Sequence, residues 1–180
     1  MKNELMEAFR KRLEEMPFDK IKVTDLCLDC GVNRQTFYYH FNNLNDLASH
    51  FIKREAEGLL HLEEEPFTWE DKVNALIEYL DSNRDMCLSL LSSMEHKLLK
   101  NILSQDTERL ISRISESSVS GGTAILDVPG EERDFYIKFY ALAVSGLVES
   151  WIMGDIKMSP EKLIGYIKNI IRKNIQHNNK

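Results

Sequence analysis

Glycine and proline are scarce, eight and four in 180 residues, while 43% of the chain is hydrophobic. So few turn-formers leave little room for a many-stranded sheet and point to a globular, all-helical protein. There is no run of eighteen or more apolar residues, hence no expected membrane span. The N-terminus opens on a charged amphipathic segment rather than a signal peptide. Three cysteines, an odd number without a secretory signal, fit a reducing cytoplasm. An excess of positive charge is also missing. The formal net charge is −6, with nine Lys/Arg against ten Asp/Glu in residues 1–60 and fourteen against nineteen thereafter. That excludes a protein that coats nucleic acid through a bulk field; any such contact must come from local cations, helix N-termini and hydroxyls. No P-loop, nucleophile elbow or glycine-rich dinucleotide turn occurs, so neither enzyme activity nor a cofactor is expected.

The five histidines form no metal constellation. Cys27-Leu28-Asp29-Cys30 is nominally a C-x-x-C, yet no second Cys or His pair lies nearby and the pair closes a helix rather than opening one. Core packing is the expected role, with zinc or redox chemistry as the alternatives.

What is abundant is helical periodicity. Leu5, Phe9 and Leu13 repeat every four residues, with Glu, Lys and Arg on the other face, and Pro17 ends this first helix. Phe18 and Ile21 are expected to tuck back onto the core. Val23 to Phe41 reads as two short helices with a tight turn. Val23, Leu26 and Cys27 share one face; Gly31 stands where a C-cap needs a left-handed residue, and Asn33 is a good N-cap for the next helix. Phe37 and Phe41 can share a buried face, leaving Arg34, Gln35, Thr36, Tyr38 and His40 largely outside it. A helix presenting donors and aromatic hydroxyls on a small apolar footing suits the major groove. Asn42 and Asn43 make a turn and cap before a helix with Leu44, Leu47, Ala48, Phe51, Ile52 and Leu59.

Glu63-Glu64-Glu65-Pro66 marks the expected boundary, giving domains 1–62 and 66–180. Beyond it, Thr68 can cap a helix carrying Val73, Leu76, Ile77 and Leu80. A short apolar piece spans Met86 to Met94, a longer helix starts near Glu95, and Ser115–Gly130 is expected to be a loop. A helix of about 131–153 places Phe135, Phe139, Leu142, Ala143, Gly146, Leu147, Ser150 and Trp151 at helical spacing. The last helix starts after Ser159-Pro160 and carries Leu163, Ile164, Ile167, Ile170 and Ile171.

Asp25-Leu26, Cys30-Gly31-Val32, Thr36-Phe37-Tyr38-Tyr39-His40-Phe41 and Asp46-Leu47 together resemble the DNA-binding domain of the TetR family of bacterial transcriptional regulators, over roughly residues 5–55. Pro17-Phe18-Asp19-Lys20-Ile21 and Asn33-Arg34 are similar to the branch that activates dihydroxyacetone kinase operons. The resemblance implies an N-terminal three-helix helix-turn-helix domain joined to a larger helical ligand-binding and dimerisation domain, acting as a homodimer on a pseudo-palindromic double-stranded operator. Arg34, Gln35 and Thr36 would reach base edges, Arg suiting guanine and Gln adenine. Tyr38 and His40 would meet phosphates, Tyr39 either DNA or the core, and Thr24 a phosphate. Asn33 belongs to the same candidate interface. Lys22 stands where the family usually has a capping threonine and could instead reach a phosphate as a point charge. Leu44 replaces a lysine common in the family. These two departures, with the acidic balance, leave open an alternative: an adaptor or coactivator with a degenerate helix-turn-helix, acting through a protein partner.

A small-molecule effector or protein coregulator is also implied by the family. Met86, Met94, Tyr136 and Tyr140 are the candidate pocket lining, with plain core packing as the alternative. Ala143, Gly146 and Ser150 form a small-residue stripe. With Leu142, Leu147, Trp151, Ile164, Ile167 and Ile171 it is the expected dimer face, two helices from each subunit.

Overall fold

A computed structural model describes residues 1–60, 68–93, 104–105, 107–109, 111–112 and 130–176. Among these there is no strand, and the chain is all-α. The helices are α1 (Lys2–Glu15), α2 (Val23–Asp29), α3 (Arg34–His40), α4 (Leu44–Leu60), α5 (Trp69–Ser82), α6 (Arg84–Ser93), α7 (Gly130–Met153) and α8 (Pro160–Gln176), with a 3-10 turn at Phe18–Lys20. Met94, the expected acidic boundary and all but the last residue of the expected Ser115–Gly130 loop lie outside the described residues; Gly130 itself opens α7. None of the described helices is long and apolar enough to cross a membrane.

The chain divides into two compact units. One contains Met1–Gly58 together with the segment carrying α6; the other contains α5, α7 and α8.

The first unit is built on aromatic side chains supplied by short helices. Leu5, Phe9 and Leu13 of α1 are buried, as are Phe18, Ile21, Leu26, Phe37, Phe41, Leu47 and Phe51. The Phe9 ring meets Phe18 and Phe51 edge-on at 5.9 and 5.5 Å between centroids, a geometry in which the positive ring edge faces the negative ring face. α6 packs on α1 and on the 3-10 turn, with Met86, Leu90 and Leu91 buried. Its inclusion here could not be read from the sequence, because the spacing of Met86, Leu90 and Leu91 identifies a buried helix but not its neighbour. Three arginines are committed to ion pairs across this unit. Arg10 reaches Glu55 and Arg54 reaches Glu7, at 2.7 and 2.8 Å, fastening α4 to α1. Arg12 forks onto both oxygens of Asp29 at 2.7 Å, tying α1 to the end of α2, and this holds the Asp29 carboxyl below its usual range.

In the second unit α5 packs on α8, and Val73, Ile77 and Leu80 of α5 and Leu163 and Ile167 of α8 are all buried. Thr68 caps α5: its Oγ1 accepts from the Asp71 amide, while the Asp71 carboxylate accepts from both the amide and hydroxyl of Thr68. α7 buries Ile137, Ala141, Ser145, Val148, Trp151 and Ile152. It ends in a Schellman motif. Gly154 has φ +85°, its amide donates to the Trp151 carbonyl, and the Asp155 amide donates to that of Ser150. The chain then turns back under Trp151, whose indole Nε1 donates to the Met158 carbonyl at 2.9 Å.

Candidate nucleic-acid interface

The turn between α2 and α3 follows from one residue type at one position. Cys30 closes α2 in the α region, and Gly31 then adopts φ +64°, a conformation that costs an L side chain about 1–2 kcal/mol. Two hydrogen bonds lock the turn: the Gly31 amide to the Leu28 carbonyl at 3.1 Å, and the Val32 amide to that of Cys27 at 2.9 Å. Asn33 restarts the helix two residues later. Its Oδ1 accepts from the Thr36 amide at 2.9 Å and from the Thr36 hydroxyl at 3.1 Å. The Asn33 side-chain oxygen and the Thr36 hydroxyl, the latter a candidate for base contact, are thus engaged in holding the helix start.

α3 is anchored through Phe37 and, just past its end, Phe41; the two rings lie 5.7 Å apart and are fully buried. The other face is open. Arg34 and Gln35 are exposed, and Tyr38 and Tyr39 are 51% and 83% exposed. His40 is half-buried, with Tyr39 edge-on to its imidazole at 5.0 Å. Tyr39 therefore faces solvent rather than the core, which removes one of its two expected roles. Arg34 makes no ion pair with any described residue, unlike the other three arginines of residues 1–60. Lys22 precedes α2 without capping it and is exposed, and Thr24 sits beside it on the first turn.

The start of α4 meets the end of α3 through a second reciprocal cap. Asn43 Oδ1 accepts from the Asp46 amide, and the Asp46 carboxylate accepts from the amide and side chain of Asn42, at 2.8–2.9 Å. Lys2, which the sequence pattern did not single out, brings its ammonium to this joint, 5.4 Å above the Phe41 ring and 3.4 Å from His50 Nδ1. Only the tertiary fold brings residue 2 to residue 41, so no local spacing could reveal it. Cys27 is buried, and Cys30 donates its thiol to the Glu4 carbonyl at 3.6 Å. Desolvation raises both thiol pKa values, which disfavours thiolate.

The other candidates fall in different places. Met86 belongs to the first unit, buried in α6. Tyr136 and Tyr140 belong to the second, half-buried and stacked at 6.5 Å, with Tyr140 against Ile111, Ile137 and Ala141. Along α7, Phe135, Phe139 and Leu142 are exposed, as is Ala143, and Gly146, Leu147 and Ser150 are half-buried. Ile164 and Ile171 of α8 are half-buried. Trp151 and Ile167 differ from the expectation of a shared face. They are 1% and 2% exposed within a single chain, because the chain reversal after Gly154 and the packing of α5 on α8 enclose them. They are buried in the core of this chain.

Two short helices joined by a glycine turn, the first resting on α1 and the second packed on the first with an exposed polar face, constitute a helix-turn-helix domain. The TetR C-terminal family model, described as a transcriptional regulator C-terminal region, matches residues 68–173, more than half the chain. The chain belongs to the TetR family of transcriptional regulators. It is 24% identical over 174 residues to the HTH-type dhaKLM operon transcriptional activator DhaS of Lactococcus lactis subsp. lactis (strain IL1403), covering 93% of this chain and 86% of that protein. Among solved structures, a dihydroxyacetone kinase operon activator DhaS superposes with a TM-score of 0.76 at 22% identity, covering 97% and 96% of the two chains. The regulator FadR from Bacillus subtilis, solved in complex with stearoyl-CoA, superposes at 0.59 with 15% identity over 98% of each chain.

Proposed function

We propose that the protein is a cytoplasmic, operator-specific regulator that binds a pseudo-palindromic DNA site as a homodimer, with residues 1–62 as the DNA-binding domain and 66–180 as the regulatory and dimerisation domain. The observation that carries this reading is the outward face of α3. Arg34, Gln35, Tyr38 and Tyr39 are exposed on a rigidly seated helix, and Arg34 is left out of the ion pairs that occupy the other arginines nearby. Arg34 and Gln35 on the first turn read bases; Tyr38, His40, Thr24, Lys22 and Lys2 hold phosphates.

Dimerisation is supported by the apolar side of α7. Phe135 is 65% exposed, and Phe139 and Leu142 follow at helical spacing, with Tyr166 and Ile170 exposed on α8. Leu142, Ala143, Gly146, Leu147 and Ser150, with Ile164 and Ile171, remain the proposed contact surface. Phe139→Glu should give a monomer by sedimentation, because an unpaired carboxylate in that seam costs several kcal/mol; an unperturbed dimer would place the interface elsewhere. Tyr136 and Tyr140 are the proposed lining for a small-molecule effector, and a protein coregulator is the other form such control takes.

Selection of bound sequences from random duplex DNA tests the reading: enrichment of an inverted repeat is expected. Failure to enrich any sequence would favour the adaptor. Leu44, half-buried at the start of α4 where the family commonly has lysine, is the observation on that side.

A further inference from the structure

The 3-10 turn at Phe18–Lys20 opens without a cap of its own. Pro17 precedes it and supplies no side-chain acceptor, so the Phe18 amide is an orphan donor at a helix start. The acceptor comes from 71 residues further along the chain: the Phe18 amide donates to Ser89 Oγ at 2.8 Å in a part-buried setting. Ser89 lies on α6, held against the turn and α1 with Met86 and Leu90 buried on either side of it in sequence. The Phe18 ring is seated edge-on against Phe9. From Phe18 the chain runs four residues to Lys22, the extended residue that immediately precedes α2.

We infer that Ser89 is a positioning residue for DNA binding: by capping the Phe18 amide from α6 it fixes the entry to α2, and with it Lys22 and Thr24. This inference rests on the DNA-binding reading above and assigns a role in it to a residue from the sequence region expected to be regulatory. The recognition helix has its own anchors in Asn33, Phe37 and Phe41, so the Ser89 bond governs the backbone-facing contacts and not the base-facing ones. Its loss therefore weakens every duplex by the same factor. A net hydrogen bond corresponds to roughly a fivefold change in an equilibrium constant.

The test compares wild type, Ser89→Ala and Ser89→Thr by fluorescence anisotropy. The probes are the duplex selected above, its single-base variants and a scrambled duplex, at a temperature where circular dichroism shows all three proteins folded. Val73→Ala, a cavity variant in the other unit, controls for lost stability alone. Ser89→Ala should bind all duplexes about fivefold more weakly with unchanged preference, Ser89→Thr should restore affinity, and Val73→Ala should bind like wild type. Equal affinity of Ser89→Ala and wild type, failure of Ser89→Thr to rescue, or the same loss in Val73→Ala would overturn the positioning role while leaving the DNA-binding reading intact. Wild type that binds none of the duplexes would overturn both.

Discussion

Replacing Trp151 by Phe distinguishes a residue of the chain's own core from one of the proposed dimer face. The indole is enclosed and its N–H is spent on the Met158 carbonyl. Phenylalanine keeps the ring but removes the donor, which costs about 1 kcal/mol for the lost hydrogen bond. It also vacates roughly 40 Å³, which at ~24 cal/mol per Å³ adds about another 1 kcal/mol. The expected loss is about 2 kcal/mol, or a fall in Tm of roughly 4–8 °C for a chain of this size. Thermal melts by far-UV circular dichroism at one fixed protein concentration would measure it, and sedimentation of the same samples would follow association. A lower Tm with an unchanged association constant is the expected result. An unchanged Tm, or a variant that dissociates more readily while each subunit keeps its stability, would mean that Trp151 looks outward after all.

Gln35→Ala should relax the preferred operator sequence, whereas Tyr38→Phe should weaken all duplexes alike; competition with single-base operator variants distinguishes the two. Gly31→Ala should lower stability by ~1 kcal/mol from backbone strain alone, since nothing lies within 4 Å of the added Cβ; a loss above about 3 kcal/mol by urea titration would require a steric clash that the structure lacks. The Asp71 carboxyl is held below its ordinary value of 3.8 chiefly by the Thr68 hydroxyl. A group depressed in the folded state contributes stability above its unfolded pKa and loses it as pH falls through the folded one. The stability gap between wild type and Thr68→Val should therefore be level above about pH 5 and narrow below 3.8 to the part contributed by the Asp71 amide bond to Thr68 Oγ1, and a gap independent of pH across that range would discard the carboxylate bond as a source of it.

Local chemistry was legible in the sequence and long-range packing was not. Gly31, Asn33 and Asn43 act on atoms within five residues, so their types and spacing were enough to place the turn and two caps. Phe37 and Phe41 announced the footing of α3 in the same way. α7 was harder because it is apolar on two sides: Ile137, Ala141, Ser145 and Val148 face inward, while Phe135, Phe139 and Leu142 face outward. Trp151 follows both stripes in sequence, three residues after Val148 and in phase with the inward one, and the reversal at Gly154 encloses it there. Ser89 and Lys2 carried no signal at all, since each acquires its partner through tertiary structure from more than 35 residues away.

The pairing of Arg10, Arg12 and Arg54 within the first unit has a consequence for how such a regulator would find its site. Each phosphate neutralised adds about 0.9 to the slope of log affinity against log salt, and the same contacts supply nearly all attraction to random sequence. With those guanidiniums spent on Glu55, Asp29 and Glu7, the cations of residues 1–60 outside these three pairs are Lys2, Lys11, Lys20, Lys22, Arg34 and Lys53, and Lys20 is itself 3.7 Å from the Asp19 carboxylate. The molecule would be retained briefly at wrong sites, respond weakly to changes in cellular ionic strength, and leave a larger share of its copies free to reach an operator.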